Sequence, residues 1–202
     1  MEPNPTSADN GQAIYSVGHS NHSSEELIDL LSQHEVQVIV DVRTQPFSRY
    51  SPQFNRDPLR ESLKDHGIGY VFLGRELGGR PDGDHYYDHE GHVRYDRLAQ
   101  SDLFLAGLER LIEGSRSQRV AMLCSEGDPA SCHRHLLIAR VLHDRGIEVT
   151  HIDTKGRLRP YSIVATETAI PKTLFDTEEE LEQWRSPLSV LQSTQPDRSS
   201  DD

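Results

Sequence analysis

The sequence predicts a single α/β domain built on a mostly parallel, five-stranded sheet with helices on both faces. Three observations lead there. The chain has 202 residues, enough for one domain with a real core. Strand-like and amphipathic helical segments alternate along it, and the strand segments are apolar enough to be covered on both sides. Residues 13–171 form the expected domain. Before it lies a tail of residues 1–12, rich in Pro, Asn, Ser and Asp, and after it an acidic extension of residues 172–202 with a short helix and a disordered end.

IYSVGHS, Ile14 to Ser20, reads as a buried strand. SSEELIDLLSQHE opens with a capping box, Ser23 with Glu26, and sets Leu27, Ile28, Leu30 and Leu31 at helical spacing. VQVIVDVR, Val36 to Arg43, is a β-branched second strand. DPLRESLKDHG is a helix capped by Asp57, with Pro58 in its first turn and Gly67 as its stop. IGYVFLG is the third strand, followed by a polar insertion from Arg75 to about His92 and a helix from about Tyr95 to Glu113. RVAMLCSEG is the fourth strand. DPASCHRHLLIARVLHDRG then reads as one helix, with Asp128 as cap, Pro129 in the first turn and Gly146 as stop. IEVTHID is the fifth strand, and TEEELEQW, ending at Trp184, is a short appended helix. This rhythm implies right-handed crossovers and a ligand crevice beyond the carboxyl ends of the strands.

Composition narrows the function. A formal charge of −12 disfavours nucleic acid as a partner, since counterion release needs a basic face, although a local basic pocket remains compatible with it. No window reaches the length that spans a bilayer, so no membrane partner is expected and the location is read as cytoplasmic. Two cysteines cannot form a disulfide framework and are read as thiols or ligands.

Each strand brings a polar or reactive group to the predicted crevice. The first supplies His19 and Ser20, the second Asp41 and Arg43, the third runs into Arg75 through Arg80, the fourth supplies Cys124 and Glu126, and the fifth His151. Cys124 is the candidate nucleophile, because the start of the following helix favours a thiolate; Glu126 and Asp128 oppose it. His19 and His151 are the proton-transfer candidates, with Glu126 beside them. Leu137, Ile138, Val141 and Leu142 define a buried stripe that includes Arg134, so Arg134 points into the pocket, with His133 at the flank. Cys132 falls on the other side and reads as a small buried apolar residue. Arg43, Arg49, Arg56, Arg75, Arg80 and Arg134, with Tyr50, Phe54 and Tyr70, compose a guanidinium and aromatic pocket for a phosphate-bearing or planar ligand.

No metal is assigned. Cys-x7-Cys-His lacks the short ligand pairs of structural zinc sites, and a regular helix cannot aim adjacent residues at one ion. The loop DGDHYYDHEGH crowds Asp82, Asp84, His85, Asp88, His89, Glu90 and His92 together, but a solvated insertion accounts for them better than a metal loop.

GHSN at Gly18, DVR at Asp41 with Pro46, PQFN at Pro52, GIGYVFL with LGG at Leu77, and LCSEGDPASCHR at Leu123 together resemble the bacterial and archaeal domain of unknown function 488, over about Ile14 to Asp153. That resemblance implies a cytoplasmic prokaryotic α/β protein and names no reaction; the substrate-binding candidates are Arg43, Arg134, Asp41, Ser20, Asn55, Tyr70 and His133. A weaker likeness links VIVDVR and Cys124-Ser125-Glu126-Gly127 to the rhodanese cysteine loop, although Asp128-Pro129 replaces the expected Arg or Ser. A phosphatase loop is excluded because Ala130 stands where its arginine belongs. The leading expectation is an enzyme of the transferase or hydrolase kind with an anion pocket, for a phosphate-bearing, nucleotide or nucleic-acid ligand, at the carboxyl edge of the sheet and a thiol at Cys124. The alternatives are a non-catalytic module for nucleotides or single strands, and a histidine-rich metalloprotein using His19, His151 and the insertion. Cofactor and oligomeric state are not indicated.

Overall fold

The computed structural model describes residues 14–168 and 184–190. The tail at residues 1–12, the segment TEEELEQ at residues 177–183 and most of the acidic extension lie outside the described residues. Six strands form one sheet: β1 (Ile14–Gly18), β2 (Val38–Asp41), β3 (Gly69–Phe72), β4 (Val120–Cys124), β5 (Val149–Ile152) and β6 (Leu158–Pro160), in the spatial order β3-β2-β4-β1-β5-β6. The first five are parallel, as the alternating pattern predicts. The sixth is an addition: it pairs antiparallel with β5 after a tight turn at Gly156, whose φ is 77°. Three residues are too few to show a strand period, and Asp153 supports the turn by accepting from the backbone N–H of Lys155 and Arg157.

The helices are α1 (Ser24–Gln33), α2 (Arg56–Asp65), α3 (Gly74–Leu77), α4 (Tyr95–Leu98), α5 (Asp102–Ser115), α6 (Arg140–Asp144) and α7 (Tyr161–Thr168). The strands' period of two divides the core. Val17, Ile39, Ala121 and Leu123 meet Leu27 and Leu31 of α1 and Leu59 and Leu63 of α2. Val38, Val40, Val120 and Met122 meet Leu108 and Leu111 of α5 and Leu137 and Leu142 on the opposite face. Each such leucine stabilises the fold by roughly 1.5–3 kcal/mol. No helix among the described residues is long and apolar enough to cross a membrane.

Local chemistry moves three helix boundaries. The capping box of Ser23 and Glu26 forms as predicted. Helix α2 starts earlier than an Asp57 cap would place it, with Asn55 at the cap position. The predicted helix from Tyr95 to Glu113 is two helices, because Ser101 accepts the N–H of Phe104 and starts α5 anew. The predicted continuous helix after β4 is broken. Asp128 caps only a 3-10 turn, Pro129–Ser131; Cys132 is extended, and π-helical turns over Arg134–Ala139 lead into α6.

The connection leaving β1 runs to β2 on one face of the sheet, and the connection leaving β4 runs to β5 on the other. Adjacent strands β1 and β4 therefore send their chains apart.

Candidate functional site

Cys124 is the last residue of β4, paired in register with Gly18 at the end of β1. A Cβ on Gly18 would lie 1.8 Å from the Glu126 carbonyl oxygen, so only glycine lets the loop after β4 fold down onto β1. Arg134 holds this loop from below. Its Nη1 donates to the Glu126 carbonyl at 2.6 Å and its Nη2 to that of Gly127 at 3.0 Å. Arg134 is 0% exposed, and its guanidinium lies against the loop carbonyls rather than along the cavity toward which the sequence pattern points it. Its Nε is buried with no hydrogen-bond partner.

The break in the following helix assembles the site. With φ −106° and ψ 142°, Cys132 leaves helical geometry, so its side chain and that of His133 turn the same way. Cys124 Sγ and Cys132 Sγ lie 3.7 and 3.8 Å from His133 Nδ1. The Glu126 carboxylate accepts from both thiols, at 2.7 Å from Cys124 and 3.2 Å from Cys132. His133 Nε2 donates to the Val42 carbonyl at 3.1 Å, which turns Nδ1 toward the sulfurs. The ring passes over Gly79, where a Cβ would stand 2.8 Å from its Cγ. The LGG stretch thus leaves room for the imidazole.

The charges at this point are interdependent. The hydrogen bond to Cys132 holds the Cys124 thiol high, aided by burial and by the negative charges of Cys132 and Glu126. Burial opposes charge on Cys132 too, but the Cys124 hydrogen bond and the positive charges of Arg134 and His133 outweigh it and hold that thiol low. His133 is raised: burial disfavours its cation, yet the negative charges of Cys132 and Glu126 prevail. Of the two sulfurs, Cys132 carries the negative charge more readily, a role the sequence reading did not give it.

These groups lie at the floor of a cavity of about 420 Å³, walled by Arg43, Phe47, Arg80, Tyr95 and Leu188 among others. A larger hollow of about 540 Å³ beside α2 is lined by Asp57, Arg60, Glu61 and Lys64 and holds no thiol or imidazole.

The remaining predicted residues divide. Arg43 lines the cavity, but Asp41 is fully buried and grips the guanidinium through Nε at 2.9 Å and Nη2 at 2.7 Å, while Tyr70 donates to Asp41 at 2.8 Å. Burial and the Asp41 carboxylate raise the Tyr70 phenol well above its ordinary range. Asp41 and Tyr70 thus support Arg43 from behind. Ser20, at a positive φ of 48°, joins the β1 loop to Ser125 through its backbone N–H. Asn55 accepts from the backbone of Ser48 at 2.7 Å and ties the loop before α2 to itself. His19 stacks on Phe54 and is lowered to about 4 by burial, so it is neutral near pH 7.

His151 departs most from expectation. It is 0% exposed, within hydrogen-bond distance of Ser16 Oγ at 2.6 Å and His135 Nδ1 at 3.0 Å, and burial lowers it to about 2. It belongs to the packed face of the sheet rather than to the crevice. The histidine-rich insertion is also otherwise engaged. Asp88 and Glu90 take Arg185, and His92 Nδ1 meets the Ser186 carbonyl at 2.7 Å. These contacts hold residues 184–190 against the insertion, and Ser186, Pro187, Leu188 and Val190 complete the cavity wall. Sequence patterns carry no sign of that wall, because its contacts reach residues 48 to 99 positions away.

Among the described residues, the one group placed to hold a metal ion is Cys124, Cys132 and His133, whose donor atoms lie within 4.8 Å of one another. The expectation that these residues could not converge assumed a regular helix; the extended Cys132 removes that obstacle. Comparison with curated proteins and with solved structures found no match. A model of the family described as domain of unknown function DUF488 matches residues 23–141, more than half of the chain and including all three of these side chains, and the chain belongs to that family.

Proposed function

We propose that this protein is an enzyme acting on a small anionic substrate held in the cavity beyond the carboxyl ends of β2 and β4, with the Cys124 centre as its reacting group. The observation that carries the reading is the convergence of two sulfurs, the His133 imidazole and the Glu126 carboxylate on the floor of that cavity. Purely structural cysteines sit among apolar side chains; these two face charged partners and a cavity. Arg43, preoriented by Asp41, and Arg80, exposed at the rim, are the groups suited to a phosphate or carboxylate. Glu126 is placed to accept the Cys124 proton, and Arg134 offsets the negative charge that gathers there. A volume of about 420 Å³ suits a metabolite or a mononucleotide and is too small for a duplex.

The test combines binding with turnover. Phosphate-bearing and nucleotide metabolites are screened for a rise in melting temperature, and each stabilising compound is then incubated with protein and followed by mass spectrometry. Arg80→Ala is expected to weaken the stabilisation, and Cys124→Ser to abolish conversion while binding survives. Conversion that persists in Cys124→Ser would remove the thiol from the reaction. Binding with no conversion by the wild-type protein would replace the enzyme by a binding module.

A further inference from the structure

The geometry points to a transition-metal site: we propose that Cys124 Sγ, Cys132 Sγ and His133 Nδ1 bind one borderline-soft divalent cation, zinc first among them, with its fourth position open to the cavity. Metal–sulfur bonds near 2.3 Å and metal–nitrogen bonds of roughly 2.0–2.1 Å make the sulfur-to-nitrogen edge of a tetrahedron about 3.6 Å. The two such edges here are 3.7 and 3.8 Å. Both sulfurs already stand at ligand spacing from the imidazole, and all three donor atoms lie within 4.8 Å of one another.

The surroundings match what a metal site requires beyond its ligands. The imidazole donates its far N–H to the Val42 carbonyl, an outer-shell contact that fixes the tautomer and aims the Nδ1 lone pair at the ion. Gly79, having no Cβ, leaves the ring room to lie in this orientation. Both thiolates offset a divalent charge, and buried Arg134, donating to the Glu126 backbone carbonyl, fixes the loop that carries Cys124. Two thiolates and one imidazole favour zinc over magnesium or calcium, which prefer oxygen.

Glu126 is not the fourth ligand. Its oxygen lies 2.7 Å from Cys124 Sγ, well inside the roughly 3.5 Å edge that tetrahedral coordination would set, and it serves there as acceptor of the thiol proton. Ligation needs both thiolates and an unprotonated Nδ1, so binding the cation releases the protons these three donors hold to solvent, and the carboxylate is left beside the open position. Three protein ligands with one free vertex are the pattern of a catalytic rather than a structural zinc site. Metal binding itself does not depend on the enzyme reading; only the use of the open vertex rests on that reading.

Protein expressed without a histidine tag and purified without chelator is analysed for metal, then stripped and titrated with cobalt(II). The expected result is a zinc-to-chain ratio near unity and, with cobalt, the thiolate-to-metal charge-transfer absorption of a tetrahedral site. Cys132→Ser should lower cobalt affinity by more than the roughly 10- to 100-fold that loss of an outer-shell partner causes, whereas Glu126→Gln should keep the band. Should the cysteine variants fail to fold, the wild-type protein decides alone. A metal ratio near zero together with no thiolate–cobalt band, or a Cys124–Cys132 disulfide in protein kept under reducing conditions, overturns the site. Full metal occupancy with no conversion of any bound compound would retain the site and remove the enzyme reading.

Discussion

At the scale of single residues, the site depends on positions whose side chains do no chemistry. Gly18 and Gly79 are both required for close approach, but what they approach differs. A methyl at Gly18 meets a backbone oxygen at 1.8 Å, and one at Gly79 meets the His133 ring at 2.8 Å. A ring shifts more easily than a strand end. Gly79→Ala is therefore expected to cost about 1–3 kcal/mol of stability, in the range of overpacking, and to displace the imidazole. Gly18→Ala should cost more and disturb the whole Cys124 loop. Urea unfolding of the two variants compares them, and equal costs would contradict the assignment of the harder clash to Gly18. Cys124, Glu126 and Arg43 could be read from the sequence because strand-end positions announce themselves in an alternating chain. The partnership of Cys132 with His133 could not, since an Asp-Pro start before an apolar stripe reads as regular helix.

At the scale of elements, the five parallel strands and their crossovers were legible because continuous β-branched runs have few alternatives. The unread parts have long-range causes. Cys132 is drawn out of the helix where His133 reaches the Val42 carbonyl, just past the end of β2 and ninety-one residues earlier. The cavity wall at residues 184–190 has no period of its own and is held by Tyr95, Val93 and Leu136. Trp184 is its anchor: its Nε1 donates to the Leu136 carbonyl at 2.7 Å, and the Arg140 guanidinium lies 4.3 Å above its ring. Cation–π contact adds about 0.5–2 kcal/mol to that attachment. Trp184→Ala should loosen the wall and speed alkylation of Cys124 and Cys132 in stripped protein severalfold. Peptide mass spectrometry reads each rate, and an unchanged rate would show that Trp184 does not hold the wall over the thiols.

At the scale of the whole molecule, buried neutral histidines make the fold acid-sensitive. His19 is lowered to about 4 and His151 to about 2, both chiefly by burial, against an unfolded value near 6.5. The unfolded chain therefore binds protons first as pH falls. Their contribution is intact above pH 6.5 and diminishes below it, for each histidine by up to about 1.4 kcal/mol per pH unit, until the folded value is reached. Urea midpoints measured between pH 7 and pH 4 should fall, and His19→Gln should remove one proton's share of the slope. An identical slope in that variant would mean that His19 already carries its charge in the native state. The wall at residues 184–190 bears also on how the protein is made. Trp184 follows Leu136 by 48 residues. Cys124 and Cys132 lie 60 and 52 residues before Trp184, so at a synthesis rate of about 5–20 residues per second the thiols leave the ribosome roughly 3 to 12 seconds before the segment that lines their cavity. A nascent chain thus presents an open cradle to the cell's metal and thiol pools, and whatever it captures in that interval is enclosed when translation delivers the last wall.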